Sequence, residues 1–296
     1  MPQQVEVWTL RKVLDWTTSF FERKNVDPPR LVAELLLAHV LKCQRIRLYT
    51  DLHRPMNPDE LATIRDLVRR AGEQEPIQYI TSVAHFYNLE FTVTKDVLIP
   101  RSDTETLVER TLSFLKADGI VEPRVLDLCT GSGCVACAIA AHAKSSQVIA
   151  TDISLPALDV ARGNVQKLKL DGRVVCLLGD LFEALKSEAD PRPFHAIVSN
   201  PPYIASTKIP TLDRNVRDFE PHLALDGGAD GLDPHRRIVA GAYDRLVPGG
   251  RIFLEIAFDQ EEAALWLLNQ DPRYDDARSY RDLAGQPRVV SARKKS

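Results

Sequence analysis

Four short stretches carry polar groups suited to chemistry, and each closes a run of β-prone residues. They are Asp127 with the turn Cys129-Thr130-Gly131-Ser132-Gly133, then Asp152, then Asp180-Leu181, and last Asn200-Pro201-Pro202-Tyr203. Gly131 and Gly133 make a tight turn between "VLDL" and an apolar helical run, a place where a ligand can approach bare backbone. Gly131-x-Gly133-x-x-Ala136, with Asp152 about twenty residues further on, fits a dinucleotide fingerprint in which the acid accepts ribose hydroxyls. Asp127 argues against a pyrophosphate there, because a carboxylate beside it repels. S-adenosylmethionine has a ribose diol for Asp152 and a cationic end that favours acidic surroundings. Asp180 can accept from an adenine amino group, with Leu181 against the ring.

The tetrapeptide ends its strand on an amide, two residues without a backbone donor, and a phenol. Alone, Asn-Pro-Pro is ordinary turn punctuation. Beside a glycine loop and three strand-end acids it suits methyl transfer to a planar nitrogen. The Asn200 side-chain oxygen and the Pro201 carbonyl can each accept one N–H of an NH2 group, orienting and polarising the nitrogen. Pro201 and Pro202 limit φ and so hold that carbonyl in place. Tyr203 offers a flat face to a planar substrate group. A sulfonium is already a good leaving group, so no strong base is demanded, and no Ser-His-Asp or Cys-His signature occurs among the seven histidines.

These residues need a scaffold, and the chain supplies an alternation of strand and helix from Pro123 onward. "RVLDL" precedes "CVACAIAAHA", "QVIATDI" precedes "PALDVARGNVQKLK", "RVVCLLGDL" precedes "FEALKSE", and "RIVAGAYDRLV" precedes "GRIFLEI". That order predicts an α/β fold with a doubly wound, mostly parallel sheet, and the last segments read as an antiparallel edge. Upstream, residues 1–84 read as a small all-α domain. Leu10, Val13, Leu14, Thr17 and Phe21 share one helical face, and Leu31, Leu35, Leu36 and Leu41 another. Asn57 and Glu60 have capping-box spacing, as do Ser102 and Glu105. Residues 85–100 have period two and suggest a linking β-hairpin turning near Asn88 or across Thr94-Lys95-Asp96. Residues 101–296 then form the catalytic domain.

Composition narrows the function. Net charge is −3 with an isoelectric point near 6.2, so no global field draws in nucleic acid, and no direct nucleic-acid contact is expected. No apolar run has membrane-spanning length, and the start has no signal-peptide core, which points to a cytoplasmic protein away from membranes. Five cysteines make an incomplete disulfide set. Cys134 and Cys137 fall in an apolar helical run without a fourth ligand, so they read as core residues and no metal is expected. The acidic loop "LDGGADGLD" misses calcium-loop spacing and reads as a solvated loop near the rim. Arg101, Asp103 and Glu105 read as a capped helix start or as the lining of a cofactor entrance.

"DLCTGSG", "TDIS", "GDLF", "SNPPYI" and "FEPHLALDGGADGLD", with "PIQYI", "FYNLEFTV", "VLIPRSDTETLVE" and "YRDLAGQPRVVSAR", resemble the PrmC/HemK family of release factor glutamine methyltransferases. These are class I, Rossmann-like, S-adenosylmethionine-dependent enzymes. The resemblance implies methylation of the glutamine side-chain nitrogen in the Gly-Gly-Gln loop of peptide chain release factors. It places the cofactor at Cys129 through Gly133, Asp152, Asp180 and Leu181, and the substrate at Asn200 through Tyr203. It also gives the helical domain a role in holding a protein partner. Departures stand at Cys129, where the family commonly has a glycine free to adopt positive φ, at "RSDTE", and at Leu181, often aromatic. Alternatives remain at this stage: a glutamine of a large-subunit ribosomal protein, an adenine amino group in DNA, a nucleotide-binding reductase, or a scaffold without activity.

Overall fold

The computed structural model describes residues 7–187 and 192–295. The first six residues, read above for a signal-peptide core, and Glu188 of "FEALKSE" lie outside that range. The chain forms two compact units, one running to Ser82 with the short segment Arg214–Phe219, the other from Val83–Asp213 and from Glu220 onward. Among the described residues no helix is long and apolar enough to cross a membrane.

The first unit contains α1 (Leu10–Arg23), α2 (Pro29–Val40), α3 (Pro58–Gly72) and α4 (Ile77–Thr81). α1 buries Leu10, Val13, Leu14, Thr17 and Phe21, the stripe its spacing predicts. α3 opens on the expected capping box: Asn57 Oδ1 accepts the Glu60 N–H at 2.8 Å and Glu60 Oε2 accepts the Asn57 N–H at 3.0 Å. α2 departs from expectation. It buries Val32, Ala33, Glu34, Leu36, Leu37 and Ala38, while Leu31, Leu35 and Leu41 are only half-buried. The reason is Glu34, whose carboxylate takes Arg30 Nε at 3.0 Å and the Tyr49 hydroxyl. A paired acid turns inward with the apolar residues beside it, which periodicity alone does not anticipate.

The second unit starts with a hairpin, β1 (Val83–Phe86) and β2 (Leu89–Thr92), paired so that the turn falls at Tyr87-Asn88. Both turn residues have positive φ, as a two-residue hairpin requires. Val97 and Ile99, grouped with these strands by their period, are buried but lie outside any strand. α5 follows (Glu105–Ala117), and the Ser102/Glu105 capping box does not form. Ser102–Thr104 coil into a 3-10 turn, and Glu105 Oε1 instead accepts the Tyr87 N–H at 2.8 Å.

Next in order come β3 (Arg124–Leu128), α6 (Cys134–His142), β4 (Gln147–Asp152), α7 (Leu155–Lys167), β5 (Val174–Leu178) and β6 (Phe194–Ser199). The single turn α8 (Arg214–Arg217) belongs to the first unit. α9 (Asp233–Ala242), β7 (Leu246–Glu255), α10 (Glu261–Gln270), β8 (Tyr274–Arg281) and β9 (Pro287–Lys294) complete the chain. "FEALKS" forms a 3-10 segment rather than the expected α-helix, and α10 was not anticipated.

The sheet runs β5-β4-β3-β6-β7-β9-β8, parallel from β5 through β7 and antiparallel at the β9 and β8 edge. This is the predicted doubly wound, mostly parallel sheet. Alternate residues serve opposite faces. Val125, Val148, Ala196 and Val198 join one core with α5 and α6, and Leu126, Leu128, Ile149 and Ile197 join the other with α9 and α10. Each of the valine, leucine and isoleucine side chains among them contributes about 1.5–3 kcal/mol on full burial. Strand order reverses between β3 and β6, and a crevice opens there at the carboxyl ends of the strands.

Candidate active site

The glycine loop follows β3 and the tetrapeptide follows β6, so the reversal brings them face to face. Ser199 Oγ donates to Leu128 O at 2.7 Å and ties the two strand ends together. Between them lies a cavity of about 290 Å³.

The loop is held from behind. Asp127 is buried inside β3, and its Oδ2 accepts the Thr130 hydroxyl at 2.6 Å and the Ala136 N–H at 3.1 Å. Burial pushes this carboxyl up to about 7, against the pull of those two donors, and Asp152 adds to the rise. Cys129, Gly131 and Gly133 all have positive φ, 58°, 54° and 77°. Cys129 adopts this conformation without a glycine's freedom, at a penalty of about 1–2 kcal/mol. Gly133 is not part of the cavity wall; a Cβ there would lie 3.2 Å from that of Ala161 on α7. Asp127, Cys129, Thr130, Gly131 and Ser132 do line the wall.

Asp152 ends β4 with each carboxylate oxygen taking one backbone donor, Oδ2 from Gly131 at 2.8 Å and Oδ1 from Ser154 at 2.9 Å. Each oxygen keeps a lone pair, the acceptor set that a ribose diol requires. Burial raises its pKa and those backbone donors oppose the rise. A Cβ on Gly131 would meet nothing within 4 Å, so the loop presents open backbone. These residues therefore fit S-adenosylmethionine. Asp180 and Leu181 also line the cavity, Leu181 buried and at φ 49°. Arg237 of α9 pairs with Asp180 Oδ2 at 2.6 Å, a partner that the sequence did not indicate.

Asn200 and Pro202 line the cavity, whereas Pro201 is buried and Pro201 and Tyr203 are absent from its wall. Asn200 Nδ2 donates to Thr104 Oγ1 at 3.1 Å, which leaves its oxygen as the end able to accept from a ligand. The Tyr203 hydroxyl donates to Glu255 Oε1 at 3.3 Å, and the Tyr203 carbonyl accepts from Gln260 Nε2 at 2.9 Å. Burial and the Glu255 charge push the phenol above its usual range. In this arrangement Tyr203 braces the turn. The acidic loop assists: Gly231 passes so near the Tyr203 carbonyl that a Cβ would lie 2.3 Å from it. Asp226 reaches the cavity, and Asp230 and Asp233 pair with Arg236 at 2.9 Å.

Arg101 lines the cavity and pairs with buried Glu220. Asp103 instead pairs with Arg288 at 3.0 Å. Thr104, Asn164, Arg237, Glu255 and Gln260 were not read as site residues. Only Glu255 had a signal, a charge inside the apolar run "RIFLEI". Cys134 and Cys137 pack in the core on α6, where burial pushes the Cys134 thiol up to about 12. Among the described residues no group of side chains is arranged to hold a metal ion.

A sheet with this strand order and a glycine loop at its reversal define a class I, Rossmann-like methyltransferase. Residues 104–227 match the Methyltransferase small domain family, and residues 12–81 match the PrmC N-terminal domain. The release factor glutamine methyltransferase of Geobacter sulfurreducens is 41% identical over 293 residues, covering 99% of each chain. That of Rhodopirellula baltica is 40% identical over 289 residues, 97% of each. A solved methyltransferase from Pyrococcus furiosus shares the fold, with a TM-score of 0.50 and 18% identity over 80% of this chain and 99% of that one. The chain belongs to the release factor glutamine methyltransferases and is an enzyme of that family.

Proposed function

We propose that the enzyme moves a methyl group from S-adenosylmethionine to the side-chain amide nitrogen of the glutamine in the Gly-Gly-Gln motif of peptide chain release factors. One observation carries the reading: Asn200 lines the same cavity as Asp152 and the glycine loop, and donation of its Nδ2 to Thr104 leaves its side-chain oxygen as the end able to accept from a ligand. When bound, the cofactor supplies an electrophilic methyl on a sulfonium. Asp152 accepts its ribose hydroxyls, Asp180 and Leu181 serve the adenine end, and Asp127 through Ser132 hold the remainder. Asn200 Oδ1 and the Pro201 carbonyl accept the two amide hydrogens and hold the nitrogen lone pair toward the methyl. Prolines keep that carbonyl rigid. The helical unit recognises the protein substrate, the chain runs from it into the hairpin that begins the methyltransferase unit, and the enzyme acts in the cytoplasm.

Full-length similarity to enzymes named for release factors supports this substrate over a ribosomal protein or DNA. The test is transfer from labelled S-adenosylmethionine to a release factor, the large-subunit ribosomal protein and duplex DNA in parallel. Label should enter the release factor and vanish when its Gly-Gly-Gln glutamine is replaced by alanine. Labelling of DNA alone would sink the proposal.

A further inference from the structure

Among the described residues the cavity wall carries five aspartates and two arginines, Arg101 and Arg237. S-adenosylmethionine brings a sulfonium, an ammonium and a carboxylate to such a wall. Acids suit the first two, whereas the carboxylate calls for a cation with N–H donors. Arg237 is already paired with Asp180 at 2.6 Å, next to the end of β5. Arg101 lies at the other end of the row. The strand order β5-β4-β3-β6 sets Asp180, Asp152, the glycine loop and Asn200 in sequence across the crevice. Arg101 belongs to the Asn200 end, because its carbonyl accepts the Thr104 N–H at 3.2 Å and Thr104 Oγ1 accepts from Asn200 Nδ2 at 3.1 Å. With adenine at Asp180 and ribose at Asp152, as proposed above, the methionine end of the cofactor falls there. Glu220 fixes the arginine from outside the wall: its side chain is 1% exposed, it does not line the cavity, and its Oε1 takes Arg101 Nη2. A guanidinium has further N–H donors in a planar fork that matches a carboxylate, so one acid can hold it while it grips a second.

We propose that Arg101, braced by Glu220, binds the carboxylate at the methionine end of S-adenosylmethionine and anchors the cofactor beside Asn200. The assignment rests on the S-adenosylmethionine reading above. It gives the arginine of "IPRSDTE" a ligand of its own, where its place at a helix start did not.

The test is calorimetry on the full chain with S-adenosylmethionine and with its decarboxylated form, which differs by loss of that one group. The acidic wall acts on both ligands in every variant, so the ratio of their two Kd values isolates the contact. Arg101→Met keeps the apolar stem and removes the charge. Kd for S-adenosylmethionine should rise about tenfold, while Kd for the decarboxylated form rises less than about threefold. An unchanged Kd for S-adenosylmethionine, or an equal rise for both ligands, overturns the assignment and leaves the cofactor reading in place. Arg101→Met also strips a buried glutamate of its partner. Should that variant not fold, Arg101→Met combined with Glu220→Gln removes both charges, and a wild-type ratio in that protein overturns the assignment equally. A wild-type chain that binds no S-adenosylmethionine overturns both readings.

Discussion

Arg237 Nη2 lies 2.6 Å from Asp180 Oδ2, so this acid on the cavity wall has a cationic partner from α9. Both side chains are well exposed, 56% and 41%, which limits the pair to about 0–1 kcal/mol. Arg237→Ala should therefore change S-adenosylmethionine affinity less than about threefold near 0.15 M salt. Asp180→Ala removes an acceptor from the cavity wall and should weaken binding about tenfold. Calorimetry on both variants checks this; equal losses would show that Asp180 acts only through the pair.

Asn200 carries the heaviest demand in the proposed transfer. Asn200→Ala should lower kcat about 100- to 1000-fold, the scale of losing one preorganised acceptor or donor at a reacting group. Binding of S-adenosylmethionine should change little by comparison. Retention of more than a tenth of wild-type kcat would remove Asn200 from the chemistry.

Asn164 is fully buried on α7 and holds three backbone groups. Its Oδ1 accepts the Thr92 N–H at 2.7 Å, and its Nδ2 donates to Thr92 O and Ser132 O, each at 2.9 Å. One side chain thus joins the hairpin to the glycine loop. Asn164→Leu leaves those groups unpaired and should cost about 3 kcal/mol or more. A lowered urea midpoint with an unchanged slope, and weaker cofactor binding, are the expected readouts.

Cys129 sits at φ 58° on the cavity wall. Glycine adopts that conformation freely, so Cys129→Gly should keep activity and shift stability by no more than about 1 kcal/mol. Valine is β-branched and should lose about 2 kcal/mol or more there, with cofactor affinity falling in step. Thermal unfolding of the two variants side by side separates conformational strain from loss of the thiol.

Asp127 predicts a pH dependence. Below its ordinary value of 3.8 the folded and unfolded chains both hold the proton; between 3.8 and about 7 only the folded chain does. Unfolding then releases a proton, so this group's contribution to stability falls as pH rises through that window and is gone above it. Asp127→Asn has no proton to hold. Wild-type stability relative to the variant should decline from pH 4 to 7 by a few kcal/mol on the order of the linkage expected for such a shift. A parallel pair of stability curves would show that the shift is absent.

Much of this was legible in the chain. The strand-end acids, the glycine loop and Asn200 could be placed because parallel strands send their carboxyl ends to one rim, and strand-helix alternation identifies those ends. The faces of α1 and the cap of α3 followed from spacing alone. α2 did not, because a buried Glu34 obeys its partners Arg30 and Tyr49 rather than its hydropathy. Glu105 likewise left its cap for the Tyr87 N–H, a group 18 residues away.

Residue types and their order along the chain determined which groups reach the crevice, since side-chain periodicity and strand order are local properties repeated element by element. Tertiary structure alone decided what those groups are bonded to: Asp180 to Arg237, Asn200 to Thr104, Tyr203 to Glu255, Thr92 to Asn164. Each pair joins residues 52 to 96 positions apart. A hydrogen bond is made within about 3 Å, and no spacing along a chain specifies which distant donor will arrive at that range.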